Sequence, residues 1–233
     1  MKKYVNNLKT LLFFLLIINI PCIFLITMKC GVKAIEEKEQ AIIVIDPGHG
    51  GIDGGGMSST GVYEKDINLQ ISNYLKIYLE NSGYNVILTR YDDYDLASNE
   101  SKNRKNEDIK KRVEIINEDN VILFISIHCN IFSDSKIRGA QTFYNPQYEE
   151  SKLLSNDIQT QLNNILKNTT RQSKSINGKY LIDHSKKIGC LVEVGFLSNQ
   201  QELNLLITPI YQNQVAYCIY IGIIQFLGIN NNL

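Results

Sequence analysis

From residue 42 onward, short apolar runs alternate with stretches in which apolar residues recur every three or four positions. Short runs rich in β-branched residues predict buried strands, and the longer spacing predicts amphipathic helices. The runs predict strands over residues 42–46, 84–89, 121–127, 140–144 and 190–194, with a shorter one over 180–182. The helical spacing predicts helices over residues 64–80, 109–117, 147–166, 199–206 behind a Ser198 cap, and 209–226. This alternation predicts an α/β sandwich around a mostly parallel sheet.

The polar stretch over residues 90–107 is the longest connection between these predicted elements. It is charged and contains few apolar residues, so it offers little surface whose burial would order the chain. We therefore expect a mobile surface loop there.

The first 34 residues differ from the rest of the chain. Residues 11–28 are apolar at all but three positions, and three lysines precede them. This pattern is typical of a secretory signal peptide or an uncleaved membrane anchor, and a small-residue cleavage site ending at Ala34 keeps both options open. A buried core helix is the alternative. The basic flank predicts that the N-terminus is cytoplasmic and that the remainder is extracytoplasmic.

We therefore expect a signal segment at residues 1–34, a solvated linker at 35–41 and one folded domain at 42–233, which is long enough to bury a full core.

The formal net charge of zero conceals an acidic domain. The first 34 residues hold five lysines and no acidic residue, so the remainder carries 19 basic against 24 acidic residues, a net charge of −5. The absence of a basic stripe argues against a nucleic-acid partner. Cys129, Cys190 and Cys218 all lie in apolar runs, which predicts small core residues rather than a disulfide framework or a structural zinc site.

A histidine follows two of the predicted strands. Pro47 and Gly48 end the first strand, His49 comes next, and five of the following seven residues are glycines. Such a loop lets the backbone turn sharply and approach a ligand closely. His128 directly follows the strand over residues 121–127. Because ligands collect outside the carboxyl ends of strands in open α/β sheets, both histidines are candidates for a site.

Glu64 begins the helix after the glycine loop, so the loop can fold its carboxylate back toward His49. Two imidazoles and one carboxylate suit a zinc ion that keeps a fourth position for water. Glu193 interrupts an apolar strand, where a carboxylate is costly unless it faces a cation or a metal-bound water, and it is the candidate general base. Each residue taken singly has another interpretation. The histidines can be structural, and Glu64 can be an ordinary charged residue in the first turn of a helix. Glu193 can be the ion-pair partner of a buried Arg or Lys.

The segments IDPGHGG, YEKDINL, SIHCN and VEVGFLSN resemble, in order and spacing, the zinc-dependent N-acetylmuramoyl-L-alanine amidases of the Amidase_3 family. The same family pattern includes RGAQTFY, Thr89-Arg90, and Arg112 with Asn117. The resemblance covers essentially residues 42–227. It implies a zinc-peptidase-like (phosphorylase/hydrolase-like) α/β sandwich with a central, mostly parallel to mixed six-stranded sheet flanked by helices.

The resemblance also implies roles for the candidate residues. His49, Glu64 and His128 would bind Zn²⁺, and Glu193 would be catalytic. The substrate would be peptidoglycan, cut between N-acetylmuramic acid and L-alanine. A zinc carboxypeptidase acting on stem peptides shares this fold and is the nearer alternative; a non-catalytic peptidoglycan-binding or scaffold protein is the other.

Two positions depart from the family pattern. Many members have arginine near Asp183 and proline near Ile188, and loss of the arginine would alter substrate contacts without removing a zinc ligand. The third histidine, His184, matches no ligand position and is expected to be a polar loop residue. A short chain with an N-terminal apolar segment and no wall-binding repeats resembles the germination-specific, CwlD-type branch of spore formers. That branch implies a role in spore cortex maturation, and the need for an accessory protein stays open.

Overall fold

The computed structural model describes residues 41–230, with side chains described up to residue 228. The predicted signal segment and nearly all of the predicted linker lie outside these residues. Within residues 41–230, no helix combines the length and the apolar character needed to cross a membrane.

Strands and helices alternate along the chain, as the hydrophobic pattern predicts. The strands are β1 Ile42–Pro47, β2 Asn85–Leu88, β3 Val121–Asn130, β4 Gln141–Tyr144, β5 Lys174–Ser175 and β6 Ile188–Phe196. The helices are α1 Glu64–Asn81, α2 Arg104–Ile116, α3 Glu149–Gln161, α4 Tyr180–His184, α5 Gln200–Leu206 and α6 Pro209–Asn230. Helix α3 continues into a π-helical turn, Leu162–Leu166.

The strands form one six-stranded sheet in the order β2-β1-β3-β6-β4-β5. Strands β2, β1, β3 and β6 are mutually parallel, whereas β4 is antiparallel to β6 and parallel to β5. The prediction of a mostly parallel to mixed six-stranded sheet flanked by helices is confirmed.

Alternate residues of the central strands face opposite sides of the sheet. Ile43 and Ile45 of β1 belong to a large core cluster with side chains from α1, α3, α5 and α6. Val44 belongs to a smaller cluster with side chains from α2 and α4. From Leu123 onward, the same alternation assigns the even-numbered β3 residues to the α2–α4 face, and along β6 it assigns the odd-numbered residues to that face. Cys129, Cys190 and Cys218 are buried free thiols, as the sequence predicts.

The predicted strand over residues 180–182 is wrong, because this segment forms α4. Leu181 and Ile182 are both buried although they are consecutive, which a helical turn allows and a strand with one buried face does not. The edge strand next to β4 is instead Lys174–Ser175, whose two residues are exposed and polar. An apolar pattern cannot reveal such a strand.

The predicted surface loop over residues 90–107 is wrong at both ends. Arg90 is buried and donates hydrogen bonds to the carbonyls of Pro47 at 3.0 Å, Gly48 at 3.1 Å and Lys65 at 2.8 Å. Helix α2 already begins at Arg104, where the Asn103 side chain caps it.

Helix α5 is likewise capped one residue later than predicted, because the side chain of Asn199 rather than Ser198 accepts the hydrogen bond from the Glu202 amide.

A buried ionic cluster lies at the carboxyl end of β1. Asp46 accepts hydrogen bonds from Thr89 at 2.6 Å, Ser126 at 2.7 Å and Arg112 at 2.7 Å, and Arg112 also pairs with Asp108 at 2.8 Å. Burial by itself would raise the pKa of Asp46, but the charge of Arg112 and the hydroxyl hydrogen bonds lower that pKa to about 2. Asp46 therefore stabilises the fold fully above the unfolded carboxyl pKa of about 3.9, and this contribution is lost as the pH falls toward 2.

We predict that Arg112→Met lowers the free energy of unfolding by about 3–5 kcal/mol, because it leaves the Asp46 carboxylate buried without its cation. Urea unfolding of the full chain at neutral pH measures this change. The control is Lys111→Met at the preceding position. It removes a solvent-accessible ion pair with Glu107 and should lower the free energy of unfolding by less than about 1 kcal/mol. Equal losses in the two variants would contradict the importance of the buried cluster.

Candidate metal centre

The structure brings His49, Glu64 and His128 together at the carboxyl edge of the sheet. His49 lies in the loop after β1, Glu64 is the first residue of α1, and His128 lies near the end of β3. Ligand atoms of the three side chains lie within 4.8 Å of one another. The Glu64 Oε1 atom is 2.9 Å from His128 Nδ1 and 3.3 Å from His49 Nε2. This group of two nitrogens and one oxygen can hold a metal ion.

The glycine loop folds back on itself to bring Glu64 to the histidines. His49 has a φ of 63°, and the amides and carbonyls of Gly50 and Asp53 bond to each other at 2.9 and 3.1 Å. Gly55 packs so closely that a Cβ atom there would lie 2.6 Å from the His49 ring and 2.7 Å from the Glu64 carboxylate. Only glycine leaves room for this approach.

Three donors besides the histidines, together with His128, hold the Glu64 carboxylate in place. The Gly56 amide donates to Oε2 at 2.8 Å, and the Cys129 amide and the Asn68 side chain donate to Oε1 at 3.0 and 3.3 Å. The fourth contact is from His128 itself, through Nδ1. Burial acts to raise the pKa of Glu64, but the two histidines outweigh it and lower that pKa, so the group is an anion.

Asp53 is a site residue that the sequence argument missed. Its Oδ2 atom accepts a 2.9 Å hydrogen bond from His49 Nδ1, which leaves His49 Nε2 facing Glu64. Its Oδ1 atom accepts from the Gly55 amide at 3.3 Å, and the Lys105 ammonium lies 3.4 Å from Oδ2. A carboxylate that orients a metal-binding histidine in this way fixes its tautomer. The spacing of His49 and Asp53 within one glycine loop was the available signal.

Burial acts to lower the pKa of His49, while the hydrogen bonds and charges of Glu64 and Asp53 outweigh it and raise that pKa. The His49 imidazole therefore lies between two carboxylates, with Glu64 at Nε2 and Asp53 at Nδ1.

Glu193 lies beside this group on β6. It is the register partner of His128 on β3, and both residues belong to the face of the sheet that α2 and α4 cover. Its Oε2 atom is buried and has no hydrogen-bond partner among the described residues. No Arg or Lys of the described chain forms an ion pair with it. Burial raises the pKa of Glu193, and the charge of His128 acts against this rise.

A cleft opens on the candidate centre from the α2–α4 face. Two adjoining cavities of about 400 and 390 Å³ make up this cleft. Both are lined by His49, Lys105, Ile109, His128 and Tyr180. The larger cavity extends toward Asn103 and Asn106 at the start of α2, and the smaller contains Glu64, Glu193 and Lys179. The cleft has room for a substrate segment beside the carboxylate of Glu193.

The remaining positions singled out in the sequence lie outside the ligand group. Asp183 accepts a 2.8 Å hydrogen bond from the Gly178 amide, and Ile188 begins β6 beside Leu123. His184 ends α4 rather than lying in a loop; it is exposed and contacts the Tyr180 carbonyl at 3.0 Å.

This fold and this group of side chains define a candidate metallohydrolase. Residues 43–225 match the family model Amidase_3, described as N-acetylmuramoyl-L-alanine amidase. The chain therefore belongs to the N-acetylmuramoyl-L-alanine amidase family, and the family and enzyme class predicted from the sequence are confirmed.

Two relatives show where in the family the chain lies. It is 45% identical over 188 residues to the germination-specific N-acetylmuramoyl-L-alanine amidase of Bacillus subtilis, covering 79% of each chain. The structure of the CwlD amidase from Clostridioides difficile, in complex with the GerS lipoprotein, superposes with a TM-score of 0.78 at 42% identity. That match covers 81% of this chain and 98% of the CwlD chain. The predicted resemblance to the CwlD-type branch is confirmed.

The catalytic domain of CwlV from Bacillus (Paenibacillus) polymyxa has the same fold at 30% identity. Its TM-score is 0.71, and the match covers 81% of this chain and 99% of that domain. The fold is thus shared beyond the germination-specific relatives.

We predict that Gly48→Ala lowers amidase turnover by about 100-fold or more, because the new Cβ would lie 2.2–2.6 Å from three atoms of the His128 ring and must displace it. Release of peptide from purified peptidoglycan measures the loss. The control is Gly228→Ala in α6, where a Cβ meets nothing within 4 Å. Near-wild-type turnover of Gly48→Ala would contradict the requirement for this close approach.

Proposed function

We propose that this amidase is zinc-dependent and that it cleaves the bond between N-acetylmuramic acid and L-alanine during spore cortex maturation. The observation that carries the proposal is the convergence of His49, Glu64 and His128 beside the unpartnered carboxylate of Glu193. An N-acetylmuramoyl-L-alanine amidase needs an activated water and a base next to it, and this edge of the sheet supplies residues suited to both.

The donor set fits zinc. Two histidine nitrogens and one carboxylate oxygen form the ligand set of catalytic zinc sites, which keep one further position for water. His49, Glu64 and His128 would hold the ion, and Asp53 would orient His49 from behind. When bound, zinc lowers the pKa of water and polarises the scissile carbonyl.

Glu193 would transfer the proton. In the proposed reaction its carboxylate accepts a proton from the attacking water and donates it to the leaving nitrogen of L-alanine. The Oε2 atom is free to do so because it has no hydrogen bond within the described residues. Its place opposite His128 in the sheet register supports this role, since β3 and β6 then carry a ligand and the base side by side.

We further propose that the chain acts outside the cytoplasm on spore cortex peptidoglycan, toward formation of muramic δ-lactam. The germination-specific relative supports the cortex role. Residues 11–28 would export the domain, as a cleaved signal peptide or as an anchor. The GerS lipoprotein bound to the CwlD relative supports an accessory lipoprotein partner for this chain as well.

We predict that the full chain binds about one zinc ion and that His128→Ala binds it far more weakly, because two ligands remain. Equilibrium dialysis followed by metal analysis measures the zinc content. His184→Ala is the matched control, since His184 is an exposed histidine outside the group, and it should keep the zinc. If His128→Ala retained wild-type affinity, His128 would not be a ligand.

We predict that Glu193→Gln keeps its zinc and its fold while turnover falls by roughly 10²–10⁴-fold, because the amide cannot accept the water proton. Zinc analysis, a thermal melt and a peptidoglycan digest on one preparation separate these quantities. The exposed Glu114→Gln controls for loss of a charge.

The digest also tests the competing reaction classes. Free peptides that begin with L-alanine identify the amidase reaction, whereas trimming from the peptide carboxyl terminus would identify a zinc carboxypeptidase. Loss of zinc in Glu193→Gln would make Glu193 a ligand and overturn its assignment as the base.

A further inference from the structure

We propose that Lys179 forms a carboxylate-binding subsite of the cleft, which selects stem peptides with a free carboxylate on the residue after L-alanine. This inference rests on the proposed peptidoglycan cleavage and adds a specificity-determining residue to it. The substrate class is therefore an acidic muramoyl dipeptide unit rather than its amidated counterpart.

Lys179 is positioned next to the reacting groups. It lines the cavity of about 390 Å³ that also contains Glu193 and the three candidate metal ligands. Its positive charge acts to lower the pKa of Glu193, against the larger effect of burial, as expected for two side chains that line one cavity. An anion bound by this ammonium would lie within reach of the scissile bond.

The Lys179 ammonium has no acidic partner of its own. Among the described residues no carboxylate lies within ion-pair distance of it, whereas Lys105, the other lysine of the cavity, contacts Asp53 at 3.4 Å. Asp183 is one helical turn further on but accepts the hydrogen bond of the Gly178 amide. A cation that lines a substrate cleft without a protein counter-ion is available to a substrate anion.

The backbone that carries Lys179 is well anchored. Lys179 directly precedes α4, and its carbonyl accepts a 2.8 Å hydrogen bond from the Asp183 amide. Leu181 and Ile182 are buried in the smaller core cluster, and the Asn145 side chain donates to the Ile182 carbonyl at 3.1 Å. Lys179 is itself exposed, but its side chain starts from a fixed backbone position beside the cleft, which lowers the cost of ordering it around a ligand.

The chemistry of the substrate supplies a matching anion. In peptidoglycan the residue after L-alanine is a γ-linked D-glutamate, whose α-carboxylate is either free or amidated. One residue spans only about 3.3–3.6 Å of extended chain, so this carboxylate stays close to the scissile bond. A cavity of about 390 Å³ that contains the reacting groups can take up only the part of the peptide next to that bond.

The test compares N-acetylmuramoyl-L-alanyl-D-glutamate with N-acetylmuramoyl-L-alanyl-D-isoglutamine, which differ only in whether the α-carboxyl group is free or amidated. Calorimetric titration of the zinc-loaded, full-length Glu193→Gln variant measures binding without turnover. We expect the acid to bind about tenfold more tightly than the amide, because a hydrogen bond to a charged group contributes more than a neutral one. Adding Lys179→Met should remove this difference, and Lys179→Arg should restore most of it.

Lys105→Met is the matched control, since it removes the same charge from the same cavity, and it should keep the preference for the acid. In the enzyme with Glu193 intact, Lys179→Met should raise KM for the acid and leave KM for the amide and both kcat values largely unchanged. Equal binding of acid and amide by the Glu193→Gln protein would overturn the subsite, as would an equal loss for both compounds in Lys179→Met. Acid preference without any cleavage by the wild-type enzyme would instead refute the proposed reaction and leave the subsite standing.

Discussion

The buried pair of Asp46 and Arg112 is the interaction on which the candidate site depends. Arg112 bonds not only to Asp46 but also to the carbonyls of Pro47 at 2.8 Å and His49 at 2.7 Å. Arg90 bonds to the carbonyls of Pro47 and Gly48 from the other side. Burying these charges is costly, and the cost is offset because each guanidinium donates hydrogen bonds to several backbone carbonyls. The two arginines thereby hold the loop that carries His49.

Hydrogen bonds from the protein also hold the side chains that line the cleft. Backbone amides and Asn68 fix the Glu64 carboxylate, and Asp53 fixes the ring of His49, so the candidate ligands are ordered by the protein itself. Glu193 is the exception, since its buried Oε2 atom has no partner in the described part of the chain. An unsatisfied buried carboxylate is destabilising, and such departures are expected where function requires a reactive group.

The hydrophobic pattern was sufficient to predict the sheet and most of the helices, because burial of alternate or helically spaced apolar residues dominates the choice of element. It failed where polar residues decide the structure. Lys174–Ser175 pairs with β4 through its backbone, and Arg90 is buried by hydrogen bonds to carbonyls, neither of which leaves an apolar signal. Residues 180–182 form a helix because two adjacent side chains are buried together, which depends on contacts with distant elements.

The sequence by itself determined the residue types at the carboxyl ends of β1 and β3, the glycine loop, and the resemblance that names His49, Glu64, His128 and Glu193. Only the tertiary structure decided what surrounds them. The four-residue spacing of His49 and Asp53 allows their contact, but only the fold of the glycine loop shows that the two side chains meet. No local pattern marks Lys179 as an unpaired cation of the cleft, because the groups around it come from distant parts of the chain. Strand register and helix packing bring such groups within a few ångströms, and those are properties of the folded chain.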